Sequence, residues 1–233
     1  MSNLLVENGY YNGIIIKTDK MSEKSEAEER ICLSCGVRLA HALHRKAVVG
    51  LGGMEGLVGV PGSVGGMVKQ NAGAFGYEIS DRFISADCYL LNERKVVTFS
   101  KDDMKFSYRS SALRDRNAVL LSATFELLPM RVDDINEKIR SYSIQRRRTQ
   151  PLEYPSLGSV FKRYNGHSAG FYIDRAELKG AFVGGAAVSE KHAGFIVNKG
   201  GATSGDFLEL IKRVKNKVYA DFGIELEEEI EII

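Results

Sequence analysis

Alternation of apolar and polar positions breaks this chain into short strands and a few amphipathic helices. Gly13 to Thr18 is a short apolar run and Glu28 to Leu33 alternates, and both read as strands. From Val37 to Ala47 the period lengthens, with Leu39, Ala40, Leu43 and Ala47 forming a helical stripe that stops before Gly50. Ile84 to Leu91 and Val96 to Phe99 read as a hairpin turning at Asn92, Glu93 and Arg94. Val119 to Leu127 is a further strand that Pro129 breaks. Asp133 to Arg147 is charged and helical, with Ile135, Ile139 and Tyr142 on one face. Phe182 to Val188 and Ala193 to Asn198 are strand-like. Thr203 and Asp206 then fit a capping box, opening a helix whose apolar face is Phe207, Leu210, Ile211, Val214 and Val218, and Gly223 is placed to end it. The chain closes on a strand-like EEEIEII and opens on Asn3-Leu4-Leu5-Val6, as though entering partway through a fold. The pattern describes two mixed α and β units divided near Met130.

Between the first helix and the hairpin lies Gly50 to Gly76, GLGGMEGLVGVPGSVGGMVKQNAGAFG. Glycine loses more backbone entropy on folding than any other residue, so such density needs a structural return. Either the chain makes several turns at positive φ, or a ligand approaches the main chain where side chains would collide. The segment does not fit the dinucleotide fingerprint, because Gly62-Ser63-Val64-Gly65-Gly66 lacks the GxGxxG spacing. A cofactor bound here is held by turns and exposed amides.

Composition narrows the partners. In 233 residues, 32 basic and 30 acidic side chains leave a net charge of +2, so there is no broad basic field. The densest basic run, Arg146 to Gln150, has no interleaved aromatic platform, and nucleic acid is not expected as a partner. Cys32, Cys35 and Cys88 are too few for a disulfide framework. Cys32 and Cys35 form a lone CxxC that, with His41 and His44, does not match zinc spacing, so structural thiols and no metal are expected. No window resembles a signal peptide or membrane span, which makes the cytoplasm the default location.

Four polar features could carry chemistry. Arg109, in Tyr108-Arg109-Ser110-Ser111, could grip a carboxylate through its fork or serve as a surface salt-bridge partner. Ser159, in Gly158-Ser159-Val160-Phe161-Lys162, is not in a GxSxG elbow, and a turn role competes with a catalytic one. His192 lies between two strand candidates, where a turn or cap role outweighs catalysis. Among Glu227, Glu228 and Glu229, alternate carboxylates of a strand face opposite sides, so one could face a cleft.

The runs Gly59-Val60-Pro61-Gly62-Ser63-Val64-Gly65-Gly66 and Asn71-Ala72-Gly73-Ala74-Phe75-Gly76 resemble the flavin-binding signature of the UDP-N-acetylenolpyruvoylglucosamine reductases, also called UDP-N-acetylmuramate dehydrogenases or MurB. Tyr108 to Ser111, Gly158 to Lys162, Gly184 to Ala193 and Phe222 to Ile230 resemble the later motifs of the family, in its order and over nearly the whole chain. The short connection after Tyr108 is similar to the family's shorter type.

The resemblance implies an α+β, MurB-like two-unit fold. A partial FAD-binding domain of the PCMH/vanillyl-alcohol-oxidase-like kind would cover 1–129, and an α+β substrate-binding domain 130–233. It implies a cytoplasmic enzyme of peptidoglycan precursor synthesis with FAD as cofactor and NADPH as reductant, acting on a nucleotide-sugar as a monomer or weak dimer. Carried over by motif, Ser159 protonates the enolic intermediate, while Arg109 and Glu229 hold and polarise the enolpyruvyl carboxylate or stabilise the enol. Asn3, Gly59, Pro61, Gly62, Ser63, Gly65, Gly66, Asn71, Gly73 and Ala74 fall on cofactor-binding positions, and Tyr108, Lys162 and Arg163 on substrate-binding ones.

The sequence departs from the family pattern in three places. Ser2-Asn3-Leu4-Leu5-Val6 resembles the end of an early glycine-rich turn, so part of the FAD site is expected to be missing and FAD binding weak. Arg163 stands where asparagine is frequent, and Glu231 where arginine is. The alternative is a flavin-free relative or fragment acting as a nucleotide-sugar binding or structural module.

Overall fold

Strand propensity and local turns build the first sheet. In the computed structural model, which describes residues 2–7, 11 and 13–233, five antiparallel strands lie in the order Lys24–Ala27, Arg30–Ser34, Ala118–Glu126, Phe83–Leu90, Lys95–Ser100. Alternate residues Ile31 and Leu33, Ala86 and Cys88, Ala123 and Phe125 face one buried side. The helix Leu39–Ala47 buries Leu39, Ala42, Leu43 and Ala47, and His44, Arg45 and Lys46 sit in its last turn, where cations favour the dipole. A second helix, Val64–Lys69, buries Val64, Met67 and Val68 in the same core.

The chain separates into two units, residues 15–145 and residues 1–14 with 146–233. The expected division at 129/130 therefore differs from the observed one, which falls inside the helix Val132–Thr149. Ile135 and Ile139 pack into the core of the 15–145 unit, so the charged helix begins as part of that unit. The Arg146-Arg147-Arg148 run lies in the helix's last turn, where the helix dipole favours basic side chains.

In the other unit, four antiparallel strands run in the order Ser156–Ser159, Phe195–Asn198, Ala186–Val188, Phe182–Val183. The helix Ser204–Phe222 opens on the Thr203–Asp206 capping box and ends at Gly223 with φ +68°. Its stripe of Phe207, Leu210, Ile211, Val214 and Val218 is buried, together with Ile173 of the helix Ala169–Arg175. The chain's two ends meet in this unit, where Leu4–Leu5 pairs in parallel with Glu231–Ile232.

Three expected strands differ, the first being Phe182 to Val188, which splits into Phe182–Val183 and Ala186–Val188 paired across the Gly184-Gly185 turn. Gly13 to Thr18 forms none, and Ile14 and Ile16 are 88% and 81% exposed. An apolar run becomes a strand only where a ladder partner and a covered face exist, and among the described residues none pairs with it. The expected Glu28 to Leu33 strand begins instead at Arg30, because Glu28 at φ +46° belongs to a turn that pairs Lys24–Ala27 with Arg30–Ser34. Among the described residues no helix is long and apolar enough to cross a membrane.

Candidate functional site: a glycine-rich segment and the segments that carry Ser159 and Glu229

The glycine-rich segment folds into a 3-10 turn (Glu55–Leu57), the helix Val64–Lys69 and a hairpin of Gly73–Ala74 with Tyr77–Glu78. Some of its glycines answer internal demands. A β-carbon at Gly56 would stand 2.6 Å from the Ala74 carbonyl oxygen, and one at Gly65 3.1 Å from Cys35 Cβ. Phe75 and Gly76, both at positive φ, make the hairpin turn. Other positions face outward: Gly59, Pro61 and Gly66 are exposed, and a β-carbon at Gly66 would meet nothing closer than Ser63 Oγ at 3.8 Å. Gly62 and Ser63 are half-buried, and Ser63 caps the helix by accepting from Gly66 N–H. The Val64 and Gly65 amides are committed to the Val37 and Cys35 carbonyls, so Gly65 serves close packing.

Asn71 is buried, at φ +41°, and its carboxamide is engaged inside the protein. Nδ2 donates to Glu78 Oε2 and to the Ser107 carbonyl, both at 3.0 Å, and Oδ1 accepts from Ser80 N–H at 3.0 Å. Ser107 and Ser110 exchange two backbone hydrogen bonds of 3.1 Å, closing a turn with Tyr108 and Arg109 at its centre. Arg109 has φ +54°, and its Nη2 donates to the Gly73 carbonyl at 3.0 Å. The guanidinium also lies 4.9 Å from the centre of the Tyr108 ring, which is exposed. Ser111 Oγ donates to the Lys69 carbonyl at 2.8 Å. Ala74, half-buried, lies in the same hairpin as Gly73.

The residues expected from the Gly158 to Lys162 and Phe222 to Ile230 motifs lie in the unit of residues 1–14 and 146–233. Gly158, at φ +80°, sits in a register shift that precedes Ser159. The Glu229 N–H donates to the Val160 carbonyl and the Lys162 N–H to the Glu227 carbonyl, each at 2.8 Å. The segment that follows Ser159 thus runs antiparallel beside the one that carries Glu229, bridged at Phe161 and Glu228. Lys162 Nζ is paired with Glu227, Lys215 Nζ with Glu228 at 2.8 Å, and Arg163 is exposed. Asn3 lies here too: its Nδ2 donates to the Glu229 carbonyl at 3.1 Å, and its own carbonyl accepts from Glu231 N–H at 2.9 Å. Arg109 belongs to the 15–145 unit.

Two positions the sequence did not single out shape this region. A β-carbon at Gly194 would stand 3.3 Å from Ser159 Oγ, and one at Gly170 2.9 Å from the Gly194 nitrogen. Gly194 N–H donates to His192 Nδ1 at 3.1 Å, giving His192 a turn role. Their only signal in the sequence is glycine beside apolar residues. Cys35 and Cys88 are buried and Cys32 is half-buried, and burial, with Asp87 nearby, pushes the Cys88 thiol up to about 11. Among the described residues no three His, Cys, Asp or Glu side chains gather to hold a metal.

Residues 1–100 match the FAD binding domain family, and residues 150–233 match the family described as UDP-N-acetylenolpyruvoylglucosamine reductase, C-terminal domain. The class is therefore that of FAD-binding oxidoreductases. A UDP-N-acetylenolpyruvoylglucosamine reductase from Caldicellulosiruptor saccharolyticus is 44% identical over 234 residues, covering 100% of this chain and 75% of that protein. The enzyme of that name from Clostridium botulinum strain Hall is 42% identical over 232 residues, covering 100% of this chain and 76% of its own. The crystal structure of UDP-N-acetylenolpyruvylglucosamine reductase from Thermus caldophilus superimposes with a TM-score of 0.86 at 31% identity, over 99% of this chain and 82% of that one. The chain belongs to the UDP-N-acetylenolpyruvoylglucosamine reductase family.

Gly59 and Gly66 are exposed, and a β-carbon at Gly66 would meet nothing closer than Ser63 Oγ at 3.8 Å, so this surface fits the close approach of a flat or phosphate-bearing group such as FAD.

Proposed function

We propose that this protein catalyses the NADPH-driven reduction of UDP-N-acetylenolpyruvoylglucosamine to UDP-N-acetylmuramate, a step of peptidoglycan precursor synthesis. Bound FAD supplies the redox chemistry, the uptake of hydride from NADPH and its delivery to the enolpyruvyl double bond. In this reading Gly59, Pro61, Gly62, Ser63, Gly66, Gly73 and Ala74 offer main chain to the cofactor, with Gly65 and Asn71 shaping the segment from within. Hydride addition at one alkene carbon leaves negative charge delocalised into the carboxylate. The Arg109 guanidinium offsets that charge, and Glu229 polarises the enol. Ser159 Oγ holds the proton that the other carbon receives. A serine hydroxyl is a weak acid in water, so its effect comes from proximity to a strongly basic carbon. Tyr108, Lys162 and Arg163 bind the nucleotide-sugar.

The observation that supports this reading is the Phe161–Glu228 bridge, with the Glu229 N–H bonded to the Val160 carbonyl, which joins the segment just after Ser159 to the one that carries Glu229. Rapid mixing tests it. Ser159→Ala should keep flavin reduction by NADPH while slowing the step with enolpyruvyl substrate by about 10²–10⁴-fold. Equal loss in both steps would make Ser159 structural.

A further inference from the structure

Arg109 occupies a backbone conformation that L-residues with long side chains rarely adopt. It sits at φ +54°, the third position of a four-residue turn where glycine or asparagine is usual. Such a conformation persists only where the surroundings over-determine it, and it is found preferentially at functional sites. The surroundings here are three side-chain hydrogen bonds to the glycine-rich segment. Asn71 Nδ2 holds the Ser107 carbonyl at the start of the turn, and Ser111 Oγ holds the Lys69 carbonyl just after it. Arg109 Nη2 holds the Gly73 carbonyl from the turn itself. All three anchors on the other side, Lys69, Asn71 and Gly73, fall within five consecutive residues.

Asn71 is the central anchor. It is 1% exposed, and three hydrogen bonds of 3.0 Å use both of its amide hydrogens and its oxygen. Asparagine suits the place twice, because it tolerates the left-handed backbone and carries both a donor and an acceptor. An aspartate of the same shape would lose the donor to Ser107 and face the Glu78 carboxylate. The side chain is thereby committed to partners within the protein.

We propose that Asn71 is a positioning residue for Arg109, holding the Ser107–Ser110 turn in the conformation that sets the guanidinium over the glycine hairpin. This rests on the reading of Arg109 as the group that meets the substrate carboxylate. The link also ties substrate reduction to the cofactor segment, since the same five residues shape the flavin-facing main chain and hold the arginine's turn.

The test uses the purified chain and three variants: Asn71→Gly, which keeps the backbone conformation and removes the carboxamide, Arg109→Ala, and the two combined. Trypsin cleavage after Arg109 reads the turn without flavin and should accelerate in Asn71→Gly. The substrate-reducing step, measured per bound flavin, should fall by on the order of 10²-fold in Asn71→Gly, the scale of a misplacement of about 1 Å. The combined variant should be no slower than Arg109→Ala, because a residue acting only through Arg109 has nothing left to position. Multiplying losses in the combined variant, or unchanged trypsin sensitivity in Asn71→Gly, would overturn the proposal. Full substrate reduction by Arg109→Ala would instead overturn the reading of Arg109, with Asn71 still in place. Should Asn71→Gly not fold, Ser111→Ala removes the neighbouring anchor and runs through the same cycle with the same two outcomes.

Discussion

Gly194 lies so close to Ser159 that a β-carbon on it would stand 3.3 Å from the serine hydroxyl and 3.0 Å from His192 Cε1. Among the described residues the hydroxyl makes one long contact, 3.5 Å to the Phe161 carbonyl. Its direction is therefore set more by the space around it than by a strong hydrogen bond.

Gly194→Ala should accordingly displace the hydroxyl while leaving the fold intact. The expected result is a loss of up to about 10²-fold in the substrate-reducing step, with flavin reduction by NADPH unchanged. Rapid mixing of each half-reaction measures it. An alanine variant as fast as the parent would show that the hydroxyl has room to move.

Gly65 and Gly66 are adjacent but should fail differently. A side chain at Gly65 collides with Cys35, 3.1 Å from its Cβ, so Gly65→Val should destabilise the 15–145 unit by about 1–3 kcal/mol. Gly66 faces open space, so Gly66→Val should keep the melting temperature and weaken FAD binding. Thermal denaturation and the flavin absorbance of purified protein separate the two. Full flavin occupancy in Gly66→Val would remove this position from the cofactor surface.

Local signals made parts of this fold legible. The Ser204–Phe222 helix was readable to its caps because Thr203, Asp206 and Gly223 act within a few residues of the backbone groups they satisfy. The Phe83–Leu90 and Lys95–Ser100 hairpin was readable for the same reason. Periodicity does not say what covers an apolar face, so the division inside Val132–Thr149 and the unpaired Gly13 to Thr18 run were not readable. In the candidate site, motif resemblance pointed to Arg109, Ser159 and Glu229, and the supports around Arg109 and Ser159 are non-local. Asn71 meets Ser107 across 36 positions, and Gly194 meets Ser159 across 35. The glycine density also had two causes at once, internal packing at Gly56 and Gly65 and outward access at Gly59 and Gly66, which sequence alone cannot separate.

The last prediction concerns pH and rests on His192. Its Nδ1 accepts the Gly194 N–H, and its ring packs edge-on against Phe195 with centroids 4.8 Å apart. Burial, assisted by the positive charge of Lys179, holds its pKa below the ordinary histidine value, so the folded protein keeps the ring neutral. A group with a lowered folded-state pKa takes up its proton more readily when unfolded. Its contribution to stability is therefore complete above the unfolded value of about 6.5 and is lost as pH falls from there through the folded value. Protonation also replaces the acceptor at Nδ1 with a donor, which breaks the contact to Gly194 and frees the backbone beside Ser159. The parent should thus lose more melting temperature than His192→Asn between about pH 7.5 and pH 5.5, because asparagine offers an acceptor that does not titrate. Comparing the two proteins cancels every other titrating group they share. If both melting curves shift by the same amount, His192 carries no such linkage, and the Gly194 turn is held by packing alone.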